Sequence, residues 1–270
     1  MQSFENQQIR RFVDGVWTAA VPDTLSVEEP LEIQLCHGPG RSVQSVSITM
    51  RTPGNDKDLA LGFLFTEGIL QSPELLETIH MAPASNRVLI SLKPEFSIDL
   101  KKMERHFYTT SSCGVCGKAS IEALEATHVC PVQAPAWSFE PALICSLPEQ
   151  LRAAQEQFEY TGGVHASALF DRAGKLLALR EDVGRHNALD KLIGLYFQQG
   201  ELPLSQHILL LSGRASFELL QKAAAAGIRM VCAVGAPSSL AVATAKSLGI
   251  ALVGFLRKDR FNLYTEMQHL

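Results

Sequence analysis

Apolar and polar residues alternate over Leu31-Glu-Ile-Gln-Leu35 and again over Ser45-Val-Ser-Ile-Thr49, the period-two pattern of half-buried strands. Pro53-Gly54-Asn55-Asp56 then reads as a turn, and the apolar run Leu59 to Phe65 as a helix capped by Asp56 or Asp58. Arg87 to Leu92 returns to a strand pattern. The stretch from Asp99 to Lys118 is polar and basic, and a helix is expected from Ala119 to Ala126. Pro131, Pro135 and Pro141 break regularity before a helix expected over Pro148 to Phe158.

The C-terminal half alternates more regularly. Strands are expected at Ala166–Phe170, Leu176–Leu179, His207–Leu211, Arg229–Val234 and Ile250–Phe255. Asp171-Arg-Ala-Gly174 reads as the hairpin turn between the first two. Helices are expected at Asn187–Phe197, Phe217–Ala226 and Ser239–Leu248. Helices alternating with continuously apolar strands predict a largely parallel or mixed sheet covered on both faces.

With 270 residues, 46% of them hydrophobic and 19% charged, the chain can bury a real core. A net charge of −4 and a pI near 6.1 give no sign of a nucleic-acid or membrane-surface protein. The polar N-terminal stretch predicts no secretory leader, and the apolar runs are too short for a membrane span. Six cysteines, four of them scattered singly at Cys36, Cys130, Cys145 and Cys232, suit a reducing cytoplasm.

Three glycine-bearing turns fall where a strand hands over to a helix: Val183-Gly-Arg-His-Asn187, Leu211-Ser-Gly-Arg-Ala-Ser216 and Val234-Gly-Ala-Pro-Ser-Ser239. Strand ends followed by helix N-termini suit anions, and Arg185 and Arg214 can add bidentate contacts. None of the turns matches a dinucleotide or Walker pattern, and tight turns alone account for Gly184, Gly213 and Gly235. Of the histidines, His165 alone reads as structural, while His186 within Arg185-His-Asn is the better polar-site candidate. The tail Phe255-Leu-Arg-Lys-Asp-Arg260 offers an aromatic and three cations after the last core strand, where a phosphate-bearing ligand with a flat ring could dock; by sequence alone a solvated basic loop is the better reading.

The remaining chemistry lies in Ser112-Cys-Gly-Val-Cys-Gly117. Zinc would require four ligands, and His128-Val-Cys130 with Cys113 and Cys116 is a set with awkward spacing. A thioredoxin-type pair should follow a strand and open a helix, whereas a polar basic segment precedes this one. A persulfide carrier needs an exposed thiolate; the glycines and Lys118 suit that chemistry.

The same segment resembles the cysteine loop of the formate dehydrogenase accessory sulfurtransferases, the FdhD-type sulfur carriers. Glu181-Asp-Val-Gly-Arg-His-Asn-Ala-Leu-Asp-Lys191, Ser212-Gly-Arg-Ala-Ser-Phe-Glu218 and Leu252-Val-Gly-Phe255 resemble further blocks of that family, in order along the chain. The resemblance implies an α/β fold: a mixed-sheet α/β/α sandwich similar to cytidine deaminases (residues 119–270), a smaller N-terminal α+β domain (1–110), and a flexible cysteine loop between them (111–118). It implies a cytoplasmic sulfurtransferase that accepts sulfur from a cysteine desulfurase and passes it to the molybdenum bis(molybdopterin guanine dinucleotide) cofactor, bound as substrate, for formate dehydrogenase. Cys113 would carry the persulfide with Cys116 as helper. Phe255, Leu256, Arg257, Lys258, Asp259 and Arg260 would contact the cofactor, with no resident metal and a homodimeric assembly. The deaminase reaction itself is not expected: Ser167 stands in His165-Ala-Ser167 where the H-x-E acid/base belongs, and the C-x-x-C precedes the histidine. The alternative is a chaperone that binds the cofactor without transferring sulfur.

Overall fold

The computed structural model describes residues 3–98 and 139–266. The expected cysteine loop, the helix at 119–126 and the domain boundaries near 110 and 118 lie outside them.

The N-terminal part holds a four-stranded sheet in the order β6-β5-β8-β7. Its strands are β5 (Glu29–His37), β6 (Ser42–Arg51), β7 (Leu76–Ala82) and β8 (Arg87–Leu92), with β5 and β8 parallel at the centre. Alternation in β5 sends Leu31, Ile33 and Leu35 into the core, as the pattern predicts. Ahead of it, β1 (Phe4–Ile9) pairs with β4 (Val21–Ser26), and the short strands β2 (Phe12–Val13) and β3 (Val16–Trp17) form an exposed hairpin tip. The helix α1 (Asp56–Thr66) follows β6.

Neither aspartate caps α1. Asn55 sits at the cap in the left-handed conformation, and no side chain bonds the free N–H groups. Asp56 instead takes a bidentate ion pair from fully buried Arg51, with both contacts at 2.9 Å, and Asp58 accepts from Arg180 at 2.9 and 3.1 Å. A charge-assisted pair with an arginine outweighs a local cap, which is worth about 1 kcal/mol.

The second sheet has six strands in the order β10-β9-β11-β12-β13-β14. They are β9 (His165–Phe170), β10 (Leu176–Asp182), β11 (Ile208–Leu211), β12 (Met230–Ala233), β13 (Ala251–Gly254) and β14 (Asn262–Thr265). β11, β12 and β13 run parallel; β9, β10 and β14 are antiparallel to their neighbours, so the sheet is mixed. The helices are α2 (Pro141–Ala154), α3 (Glu156–Thr161), α4 (Arg185–Gln199), α5 (Phe217–Ala225) and α6 (Ser239–Ser247). The single helix expected over 148–158 is two: Pro141 opens α2, where a missing N–H costs nothing, and Pro148 lies inside it. Ile144, Leu147 and Leu151 of α2 cover one face of the sheet against Ala168, Phe170 and Leu210.

The other face shares its core with the N-terminal sheet. Leu31, Ile33 and Ile90 belong to one apolar cluster with Leu192, Leu209, Leu219 and Val231. Helices α1 and α4 cross at its centre. A Cβ on Gly62 would overlap the Asp190 carbonyl, and one on Gly194 would overlap the Asp58 carbonyl, so the crossing needs glycine on both helices. Lys222 of α5 joins the crossing through Asp190 at 2.9 Å and Glu67 at 3.1 Å. Among the described residues, no helix is long and apolar enough to cross a membrane.

Gly62→Ala and Gly194→Ala should each lower the stability by about 3 kcal/mol or more, because backbone rather than a flexible side chain must move. Gly40→Ala, which meets open space, should be nearly neutral. Denaturant midpoints of the three variants check this; equal midpoints would contradict the close crossing.

Candidate functional site

The strand directions bring the ends of β10, β11, β12 and β13 together with the starts of β9 and β14 at one edge of the six-stranded sheet. His165 lies opposite Asp182, and Gly254 opposite Asn262. The N-termini of α4, α5 and α6 open at the same edge, where an open α/β sheet binds its ligands.

The turns at this edge are laced into a ledge. Gly235 N–H donates to the Gly213 carbonyl at 2.8 Å, Ala215 N–H to Ala236 at 3.2 Å, and Ser238 N–H to Ala215 at 3.0 Å. A Cβ on Gly235 would stand 2.8 Å from the Gly213 oxygen, so this glycine permits the close approach of two backbones. Phe255 N–H donates to the Gly235 carbonyl at 3.0 Å, which extends the ledge to the residues after β13.

At the outer end, Phe255, Arg257, Arg260 and Asn262 line an open recess. Phe255 is 44% exposed and holds a φ of 53°, a left-handed conformation that costs a bulky residue energy. Its ring is therefore presented at the edge by a strained backbone. Arg257 Nη1 donates to the Val234 carbonyl at 2.7 Å and to the Leu256 carbonyl at 2.8 Å, fixing the guanidinium beside the ring. The other residues expected in this loop divide. Leu256 is fully buried in the apolar cluster under α2, so only its backbone faces the edge. Lys258 pairs with Glu149, and Asp259 and Arg260 are exposed and 4.0 Å apart.

At the inner end, the glycine at 213 lets the turn after β11 approach His165; a Cβ there would stand 3.2 Å from Nδ1. Arg185, His186, Asp182 and Arg214 all act on this imidazole electrostatically. Burial lowers the His165 pKa below its ordinary value, and the positive charge of Arg185 lowers it further, with smaller contributions from His186 and Arg214 that Asp182 partly opposes. His186, expected to be the better site residue, is instead turned to Glu218, with Nε2 2.8 Å from the carboxylate. The local sequence favours His186, which sits among polar neighbours; the strand pairing that sets His165 opposite Asp182 is tertiary.

Much of the block from Glu181 to Lys191 is structural. Asp182 is completely buried and takes Lys191 at 2.7 Å, Thr52 N–H at 3.1 Å, Gly184 N–H at 2.8 Å and Asn187 Nδ2 at 3.1 Å. Glu181 accepts from the N–H groups of Gln157 and Phe158 at the start of α3. Cys113 and Cys116 lie outside the described residues, as do His128 and Cys130. Of the described cysteines, Cys36 and Cys232 are buried, and burial pushes the Cys232 thiol far up from its usual range, away from the reactive thiolate.

A histidine with a depressed pKa contributes stability that is complete above its unfolded value of about 6.5 and is lost as pH falls through the folded value. His165 should therefore titrate below pH 6.5, and Arg185→Gln should move its midpoint upward by removing a cation. Ring-proton NMR titrations check both; an unmoved midpoint would show that the Arg185 charge does not reach the imidazole.

The geometry can be set beside known proteins. The model of the FdhD/NarQ family matches residues 26–270. A sulfur carrier protein FdhD of Streptomyces avermitilis is 49% identical over 96% of this chain and 93% of its own length, and one of Mycobacterium tuberculosis is 46% identical over 92% of each. A crystal structure of a Desulfotalea psychrophila protein assigned as a formate dehydrogenase accessory protein covers 100% of both chains with a TM-score of 0.78 at 23% identity, a likeness of fold. The match runs through both large sheets and the ledge at the edge of the second, and the chain belongs to the FdhD/NarQ family.

Proposed function

We propose that this chain is a sulfur carrier that receives sulfane sulfur on Cys113 and delivers it to a guanine-dinucleotide molybdenum cofactor, for the benefit of formate dehydrogenase. The observation that carries the reading is the near full-length match to sulfur carrier proteins, joined to the one C-x-x-C pair in the sequence. The buried Cys36 and Cys232 are poor candidates for the same task, since sulfur exchange needs an accessible thiolate.

In the loading step the Cys113 thiolate attacks the terminal sulfur of a cysteine desulfurase persulfide. The new S–S bond forms as the donor's S–S bond breaks, and the donor cysteine leaves as thiolate. Release as sulfide takes two electrons. Cys116 can supply them by attacking the inner sulfur of Cys113, which closes a disulfide and expels the outer sulfur. The cofactor is substrate in this scheme, and its guanine end is proposed to rest in the recess of Phe255, Arg257, Arg260 and Asn262. An exposed ring beside a fixed guanidinium suits a flat base carrying phosphates. Assembly as a homodimer and residence in the cytoplasm belong to the same proposal.

Mass spectrometry after incubation with a cysteine desulfurase and cysteine tests the carrier role. Wild type should gain one sulfur atom that a reductant removes, and Cys113→Ala should gain none. A sulfur retained by Cys113→Ala would move the carrier elsewhere. Normal formate dehydrogenase activity with Cys113→Ala/Cys116→Ala would favour a cofactor-binding chaperone instead.

A further inference from the structure

The hairpin tip formed by β2 and β3 is apolar and uncovered. Phe12, Val13, Val16 and Trp17 are 49–65% exposed and belong to neither buried apolar cluster. Pairing sets Phe12 opposite Trp17 and Val13 opposite Val16, so both faces of the tip are apolar. The tip is also built to hold its shape. Asp14 and Gly15 have φ of 49° and 83°, the left-handed pair that a tight two-residue hairpin turn requires. The Phe12 and Trp17 rings lie 5.3 Å apart, and the Arg10 guanidinium stands 5.4 Å from the Trp17 ring centroid. An ordered apolar tip left in water contributes little to the fold and marks an interaction surface.

The chemistry of the tip selects its occupant. Aromatic residues and arginine are enriched at protein interfaces, and tryptophan and arginine carry much of the binding energy there. A lipid surface fits less well, because Asp14 at the apex would have to enter it first. Arg11 is paired with Asp23 at 3.2 Å, whereas Arg10 makes no ion pair among the described residues; its Nε donates to the Thr18 carbonyl at 3.3 Å. An exposed cation held against an exposed indole calls for a carboxylate from outside. The complementary surface is a protein cleft with apolar walls and an acidic rim.

The ribbon behind the tip is anchored on α3. Phe4 stacks on Tyr160 with ring centroids 5.8 Å apart, and the hydroxyls of Ser26 and Thr161 are 2.6 Å apart. α3 is bonded in turn to Glu181 of β10, the outer strand on the flank away from the recess at Phe255. From β10 to β13 is four strand spacings, about 19 Å. A partner held on this flank leaves the recess open, so the cofactor can stay in place while sulfur is loaded. That arrangement suits the protein that donates sulfur.

We propose that the hairpin tip from Phe12 to Trp17, with Arg10, is the docking prong for the sulfur-donating cysteine desulfurase and enters an apolar, acid-rimmed cleft on that protein. The proposal rests on the reading of this chain as a carrier loaded by such a donor, and it names the surface through which the donor is held. The prong grips the donor protein and takes no part in the thiol chemistry, so a small persulfide should not need it.

Calorimetric titration of the full chain with a purified cysteine desulfurase tests the docking. Mass spectrometry of sulfur loading, from the desulfurase or from cysteine persulfide, separates docking from chemistry. Phe12→Ala/Trp17→Ala and Arg10→Glu should each weaken desulfurase binding by about tenfold or more, and should slow loading from sub-saturating desulfurase to match. Loading from cysteine persulfide should be unchanged. Unaltered denaturant midpoints would show that the variants fold. Equal desulfurase affinity in wild type and both variants would overturn the prong and leave the carrier reading intact. Self-association of the chain, or adhesion to anionic vesicles, that is lost in the variants while desulfurase binding is unchanged would also overturn it by giving the tip another occupant. Tip-dependent desulfurase binding with no sulfur gained by wild type would support the prong and overturn the carrier reading.

Discussion

One buried carboxylate holds the two sheets together. Asp182, with no solvent exposure, is neutralised by Lys191 from α4 and filled by N–H donors from Thr52, Gly184 and the Asn187 amide. Lys191 in turn donates to the Thr52 carbonyl at 2.8 Å, and Asn187 to the Met50 carbonyl at 2.7 Å. The end of β6 is thus bonded to the end of β10 and the start of α4. Removing one partner of such a pair costs about 3–5 kcal/mol, because the other charge stays buried. The benefit is positional: the turn after β10, with Arg185, is fixed at the carboxyl edge.

The glycine crossing of α1 and α4 does the rest. With Gly62 and Gly194 in contact with opposing backbone, α4 has one position relative to the N-terminal sheet. The interactions that join the sheets therefore also aim the first turn of α4. From there, backbone hydrogen bonds lace the turns after β11, β12 and β13 into a rigid surface. Rigid backbone with presented cations and an exposed ring is suited to holding a large anionic ligand.

Local patterns made much of this legible. The alternation of 31–35, the continuous apolar strands of the C-terminal half and the Asp171–Gly174 turn each appear where period and turn chemistry place them. The strands β1 and β4 were not legible, because neither buries a face fully and they carry little alternation. The uses of Asp56 and Asp58 were hidden because Arg51 and Arg180 meet them only after folding. The same holds for His165, whose role depends on the pairing of β9 with β10 and β11, and for Leu256, whose place in a basic loop conceals a core side chain. The glycine-bearing turns were visible as turns; that three of them form one ledge is a consequence of strand order.

The most direct test of the account is a crystal structure of the full chain with guanosine diphosphate. The account predicts the base in the recess lined by Phe255, Arg257, Arg260 and Asn262. A nucleotide bound away from this recess would contradict it.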